Sequence, residues 1–319
     1  MKVVVTGAGG FIGHWLVKRL RAEGHWVHGV DVKLPEYEPT EADAFDLYDL
    51  RDPRKAARAV LEADEVYHLA ANMGGIGFIS SERAAVAYSN VLIDANVIHA
   101  SYLAGVRRLF YASSACVYPA GLQDRPDVEM LRESDAIPAD PEPGYGWEKL
   151  FAEQLLSYYH GEGMLQTRVA RFHNIYGPLG TYQGGREKAP AALCRKIALA
   201  SENEIEVWGD GQQTRSFTFV EDCVEGIVRI MRSEYPAPLN LGTSELVTID
   251  QLANLIAQIA GKHIAIRHVD GPQGVRGRNS DNTEARRVLG WEPPTTLREG
   301  LVPTYRWIAE QVGALEGVA

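Results

Sequence analysis

The chain is poor in cysteine. Cys116, Cys194 and Cys223 are its only three, far apart and without a CxxC pair. An odd, scattered set builds neither a disulfide framework nor a zinc site, and it suits a reducing compartment. The nine histidines show no HExxH or paired spacing, so no metal is expected. No run of about 18 uncharged apolar residues occurs, which excludes a transmembrane helix. Positive charge is also short. The 32 Lys and Arg against 42 Asp and Glu leave a net charge of −10, which argues against a nucleic acid or a membrane surface as partner. An anionic substrate then needs a local basic cluster. The first residues, Met1-Lys2-Val3-Val4-Val5, run straight into a strand-like segment with no apolar stretch ending in a cleavage site. No signal peptide and a cytoplasmic location are therefore expected.

What is present is alternation. The pattern predicts strands over Lys2–Val5, Trp26–Asp31, Glu65–Leu69, Arg108–Ser113 and Thr167–Phe172. Between them it predicts helices over Phe11–Gly24, Pro53–Leu61, Ser81–Gly105 and Tyr145–His160. Strands and helices at this spacing imply right-handed crossovers and a parallel, doubly wound α/β sheet. The second half is less regular. Gly177–Arg186 and Gly271–Asn282 read as Gly-rich loops carrying Arg and Lys, the kind of long loop that serves function.

Directly after the first strand comes Thr6-Gly7-Ala8-Gly9-Gly10-Phe11-Ile12-Gly13. Glycines 7, 10 and 13 let the backbone turn tightly and bring its N–H groups close to a pyrophosphate at a helix N-terminus. Asp31 ends the second strand, where a carboxylate accepts the ribose hydroxyls and repels a 2′-phosphate. NAD is thus favoured over NADP, a preference softened by nearby Lys33. Asp49 follows a short strand and is placed to accept from an adenine amino group. In Tyr145-Gly146-Trp147-Glu148-Lys149, Tyr and Lys sit at i and i+4 on one helix face. An ammonium beside the phenol favours the phenolate, so Lys149 is expected to lower the Tyr145 pKa. With a serine from Ser113-Ser114, this trio can move a proton while a nicotinamide takes a hydride.

These motifs together resemble the extended short-chain dehydrogenase/reductase superfamily, in its nucleotide-sugar epimerase/dehydratase branch. The resemblance implies a doubly wound parallel Rossmann sheet with a smaller, partly discontinuous C-terminal substrate domain. Residues 1–173 would form the NAD-binding part, with 211–237 packing back onto it. Residues 174–210 and 238–319 would form the substrate part. Longer strings are similar to the GDP-mannose 3,5-epimerases of that branch: Met73-Gly74-Gly75-Ile76-Gly77-Phe78, Ser113-Ser114-Ala115-Cys116, the stretch from Gly184 to Ala191, and the stretch from Gly274 to Asp281.

That resemblance implies a GDP-sugar substrate and a route through a transient 4-ketone. Tyr145, with Lys149 and Ser114, removes the C4 hydroxyl proton, and the ketone acidifies C3 and C5. Cys116 and Lys188 match the acid and base that exchange protons there, and Arg186 is a neighbouring cation able to lower the Lys188 pKa. Cys194 and Cys223 are expected to be buried apolar residues. Phe11, Ile12, Leu50, Leu69, Ala70 and Ala71 are expected to line the NAD site beside Asp31 and Asp49. Gly74, Ala115, Asn174, Glu187, Ala189, Lys196, Gln213, Thr214, Arg215, Arg276 and Arg278 match substrate contacts, the arginines suiting a diphosphate.

Three other readings are weighed. A 4,6-dehydratase carries an Asp-Glu pair where Ala115 and Cys116 stand here. A 4-epimerase leaves Cys116 and Lys188 idle. A non-catalytic NAD-binding protein typically loses the tyrosine or lysine. A homodimer through the helices at Ser81–Gly105 and Tyr145–His160 is also expected, with Val91, Leu92, Ala95, Val97 and Ile98 as the buried face.

Overall fold

The computed structural model describes residues 1–201, 203–272 and 274–313. The alternation yields β1 (Lys2–Thr6), α1 (Phe11–Ala22), β2 (Trp26–Asp31), β3 (Ala44–Leu47), α2 (Pro53–Ala59) and β4 (Glu65–His68). It continues with α3 (Ile76–Ser81), α4 (Arg83–Leu103), β5 (Arg108–Ser114), α5 (Tyr145–Gly161) and β6 (Gln166–Phe172). Among the described residues, none of these helices is long and apolar enough to cross a membrane.

The central strands form a seven-stranded parallel sheet in the order Leu239–Leu241, β6, β5, β4, β1, β2, β3. Fully buried Val3, Val4 and Val5 of β1 read as an uninterrupted apolar run because helices cover both faces. One face is packed by Leu16, Val17 and Leu20 of α1 and by the helix Val220–Arg232. The other takes Ala56 and Ala59 of α2, Val97 and Ile98 of α4, and Ala152 and Leu156 of α5. Strand order reverses on either side of β1, so a crevice opens at the carboxyl ends of β1, β4 and β5.

The second lobe is built on α6 (Ala189–Leu199) and the helices Ile249–Ile259 and Leu297–Gln311. Leu193, Ile197, Leu252, Ile256, Leu301 and Ile308 continue the core of the α1 face without a break. Three expectations change. The sheet runs past the boundary drawn at 237, since Leu239–Leu241 pairs with Ala170–Phe172 as its edge strand. The helix expected over Ser81–Gly105 forms as α4 from Arg83 to Leu103, and an unexpected short helix, α3, precedes it across Glu82, whose φ of −111° and ψ of 31° depart from the helical region. Finally, Val97 and Ile98 face the sheet and not a partner. The exposed apolar side chains of α4 and α5 are Tyr88, Leu103, Trp147, Phe151 and Tyr158.

Candidate active site

The glycine turn is a cradle that side chains would fill. Gly7 has a φ of 78°, and a Cβ there would lie 2.8 Å from the Ala70 nitrogen, at the end of β4. A Cβ on Gly13 would lie 2.0 Å from the Gly7 carbonyl oxygen, so α1 packs onto β1 only with glycine there. The turn leads into α1, whose free N–H groups suit a pyrophosphate. Asp31 stands beside it and accepts from the Gly9 N–H at 3.0 Å and the Val32 N–H at 2.6 Å. Leu69, Ala70 and Ala71 follow β4 at the same crevice, with Leu69 bonded to the Thr6 carbonyl. Phe11 packs against the core beside Ile12. These residues fit a dinucleotide. Leu50 is instead part of the core under α2, and the Asp49 carboxylate is engaged by Arg51 at 2.6 Å.

Tyr145 opens α5, buried against Cys116 and Val86. Ser114, at the end of β5, lies near enough to the phenol to lower its pKa and accepts the Cys116 N–H at 3.2 Å. Burial pushes the Tyr145 pKa well up, Glu148, Cys116 and Asp94 add to the rise, and Ser114 opposes it. The expected lowering by Lys149 is therefore corrected. The ammonium donates to the Tyr111 hydroxyl at 2.9 Å and lies 3.8 Å from Asp94. It sits 5.7 Å from the centre of the Tyr145 ring, turned toward a buried network.

That network runs from Thr6 through His68 to Asp94, with steps of 2.7 and 3.0 Å. Tyr111 donates to Asp94 at 2.6 Å. Glu148 joins it: Asn90 donates to one carboxyl oxygen at 2.7 Å, while the other is buried with no hydrogen-bond donor. Two carboxylates share one ammonium here, and burial pushes the Glu148 pKa up to about 8, with Asp94 adding to the rise against Lys149. Burial of an oxygen with no donor beside it is the physical cause of that rise.

Against Tyr145, Cys116 sits in a tight turn (Ala115–Val117) after β5. Its sulfur accepts from Arg278 at 3.4 Å, while Arg278 Nε donates to Gln123 at 2.6 Å. Burial pushes the thiol up; Arg278 opposes this and Glu142 reinforces it. Lys188 caps the N-terminus of α6, and its ammonium is desolvated. Burial lowers its pKa, Cys116 and Cys223 counter, and Arg278 lowers it further. The structure thus brings Cys116 and Lys188 into one electrostatic neighbourhood, biased toward a neutral thiol and a neutral amine. One can give a proton and the other take one. Arg186 is not the cation that acts on Lys188: it stacks on Phe78 at 3.8 Å. Cys194 and Cys223 are buried, and Cys223 also lies near Lys188.

A cavity of about 370 Å³ adjoins this group, with Tyr118, Gln123, Glu142, Arg276 and Arg278 among its walls. That size suits a small-molecule ligand. Burial lowers the Arg215 pKa and Arg278 lowers it further, so two cations stand close together here. Arg276 pairs with Asp210 at 2.9 Å at the rim. Thr214 bonds the Arg276 carbonyl at 2.8 Å through its N–H, and Gln213 is buried with its amide donating to the Trp208 carbonyl at 3.0 Å. The Gly74-Gly75 loop docks on the segment before α6, since Gly75 N–H bonds the Arg186 carbonyl at 3.0 Å. Glu187 there holds Arg195 at 3.2 Å and Gly185 N–H at 2.7 Å, leading into Ala189. Asn174 has a φ of 46° and ties its amide to the Ser216 carbonyl at 2.9 Å. Lys196 is turned to the Glu206 carbonyl at 2.7 Å, away from Cys116 and Arg278.

Sequence reasoning passed over Asp94, Glu148, Gln123 and Glu142. Asp94 and Asn90, polar at i and i+4 in an apolar helix, were a readable sign of a buried polar pair. Glu142 and Gln123 carried none, because their partner Arg278 lies 155 positions beyond Gln123.

Residues 3–242 match the NAD dependent epimerase/dehydratase family. The chain is 47% identical over 98% of its length to a GDP-mannose 3,5-epimerase of Arabidopsis thaliana, of which it covers 83%. Its fold is similar to that of a UDP-glucose 4-epimerase from Thermotoga maritima with UDP-glucose, at a TM-score of 0.89 and 26% identity, covering 98% of this chain and 100% of that one. It is also similar to a Thermus thermophilus UDP-glucose 4-epimerase in complex with NAD, at a TM-score of 0.85 and 25% identity, covering 97% and 99%.

Proposed function

Because the chain belongs to the NAD dependent epimerase/dehydratase family, we propose that it epimerises GDP-D-mannose at C3 and C5, giving GDP-L-galactose and GDP-L-gulose. One observation carries the reading: Cys116 packs against Tyr145 and interacts electrostatically with Lys188, and burial shifts thiol and amine each toward its neutral form. A simple 4-epimerase has no use for that pair. A 4,6-dehydratase needs a carboxylic acid where Ala115 and Cys116 stand.

The cradle of Gly7, Gly10, Gly13 and Asp31 holds NAD, which when bound accepts a hydride from C4 of the sugar and returns it. Tyr145 takes the C4 hydroxyl proton, and Ser114 lies near enough to the phenol to lower its pKa. Lys149 is fixed by Asp94 and Tyr111, so its charge keeps one place, 5.7 Å from the centre of the Tyr145 ring. The ketone acidifies both neighbouring carbons. Lys188 and Cys116 then remove and replace their protons, an inversion that needs the two groups on opposite faces of the ring. Arg215, Arg276 and Arg278 bring the positive charge that a diphosphate needs in a chain of net charge −10.

Incubation with GDP-mannose in heavy water tests this. Deuterium at C3 and C5, located by NMR, is the expected result; product formation with no label at either carbon overturns it. The exposed Tyr88, Trp147, Phe151 and Tyr158 on α4 and α5 support a homodimer through these helices. Sedimentation at micromolar concentration should show twice the monomer mass, and a monomer alone would refute pairing. A cytoplasmic location remains part of the proposal, supported by three free cysteines.

A further inference from the structure

Glu142 lies between α5 and the turn that carries Cys116. Its backbone N–H donates to the Cys116 carbonyl at 3.0 Å, which fixes the loop against the turn. Its carboxylate is close enough to the Cys116 thiol to push the thiol's pKa up, and stands 4.0 Å from the Arg278 guanidinium. It is also a wall of the 370 Å³ cavity, with about a fifth of its side chain (19%) exposed there. Arg278 closes the arrangement, because it donates to the same sulfur at 3.4 Å. The sulfur therefore lies near both a carboxylate and a guanidinium, and the guanidinium donates to it. Neither partner comes from the strand or turn that carries the cysteine.

We propose that Glu142 is the positioning residue of Cys116: it aims the thiol, tethers Arg278 beside it, and exchanges its proton with the cavity. In that exchange the S–H bond breaks as an O–H bond forms on the Glu142 carboxylate. The electron pair stays on sulfur, where Arg278 faces it. The reverse step restores the thiol once it has given its proton to carbon. The inference deepens the epimerase reading and rests on it for the carbon chemistry, but not for the state of the thiol.

The other groups facing Cys116 are Ser114 at the end of β5, Tyr145 on α5, Lys188 at the start of α6, and Arg215 and Arg278 from the second lobe. Removing the Glu142 charge leaves a set dominated by cations, so the thiolate becomes easier to form.

The test uses the full chain without substrate. The pH dependence of Cys116 alkylation by iodoacetamide is read by mass spectrometry, alongside ultraviolet thiolate absorbance with Cys116→Ala as the blank. Glu142→Gln keeps the shape of the side chain and removes the charge. Its midpoint should move to lower pH, with alkylation about tenfold faster below the wild-type midpoint. Glu142→Asp should recover part of the wild-type profile. A Gln variant that folds, with midpoint and absorbance unmoved, overturns the proposal. In heavy water with GDP-mannose, Glu142→Gln should also slow label entry at C3 and C5 about tenfold while C4 oxidation continues. If wild type takes up no label although the midpoint still shifts, the substrate reading fails and the Glu142 assignment stands.

Discussion

The Tyr145 side of the crevice and the Cys116 side hold the same kinds of group, a proton-transfer side chain flanked by a cation and a carboxylate, yet they are built differently. Around Tyr145, the partners Lys149 and Glu148 lie within five residues on one helix, and Asp94 and His68 are buried behind them in a closed hydrogen-bonded chain. Around Cys116, the partners are Glu142, Lys188 and Arg278, drawn from three separate segments and both lobes, and Glu142 and Arg278 line a cavity. The first arrangement fixes one geometry and one charge state before substrate arrives. The second leaves room for a ring and for protons to come and go. Hydride chemistry needs the first, and carbon acid–base chemistry needs the second.

The widest break between the two sides should come from Tyr145→Phe. C4 oxidation is expected to fall by about 10³-fold or more, with NAD binding retained, measured by cofactor reduction and by titration of the dinucleotide. Cys116→Ala should fall on the other side. Label entry at C3 and C5 from heavy water drops about 10²-fold, while reduced cofactor still forms within a few-fold of wild type. If both variants lose oxidation equally, the two sides are not separable.

The buried carboxyl pair sharpens the contrast through pH. Glu148 is raised from 4.5 to about 8 in the folded chain, so the folded state binds the extra proton. Its contribution to stability is fully present below about 4.5 and is lost as pH rises to about 8. Glu148→Gln mimics the protonated form, so its stability relative to wild type should climb between those limits by an amount on the order of a few kcal/mol. Thermal unfolding of both proteins at several pH values checks this, and a constant difference refutes it. The smallest effect belongs to the rim. Arg276→Ala, at the exposed pair with Asp210, should change stability by less than about 1 kcal/mol in denaturant titration.

The glycine turn, Asp31, Ser114, Tyr145 and Lys149 were legible because each is tied to a strand end or to helical spacing, and such spacing is local. The two capped helices were also legible in principle, since Thr248 with Gln251 and Thr296 with Glu299 are capping boxes. The lobe boundary was misplaced at Leu239–Leu241 because three apolar-to-polar residues carry no periodicity to set them apart from a loop. Resemblance supplied Cys116, Lys188 and Arg278; spacing did not.

Periodicity and glycine placement by themselves determined that this chain winds a parallel sheet, opens it at β1, and lays a Tyr–Lys pair on a helix beside it. These follow from backbone geometry, which repeats every few residues and needs no partner from elsewhere in the chain. The charge state of each proton-transfer group was decided only by tertiary structure. Lys149 was turned toward Asp94 and Tyr111, and burial raised the pKa of Glu148. Arg278 came from the far end of the chain to the Cys116 sulfur. Desolvation and Coulomb forces depend on distance through space, and no spacing along the chain encodes that.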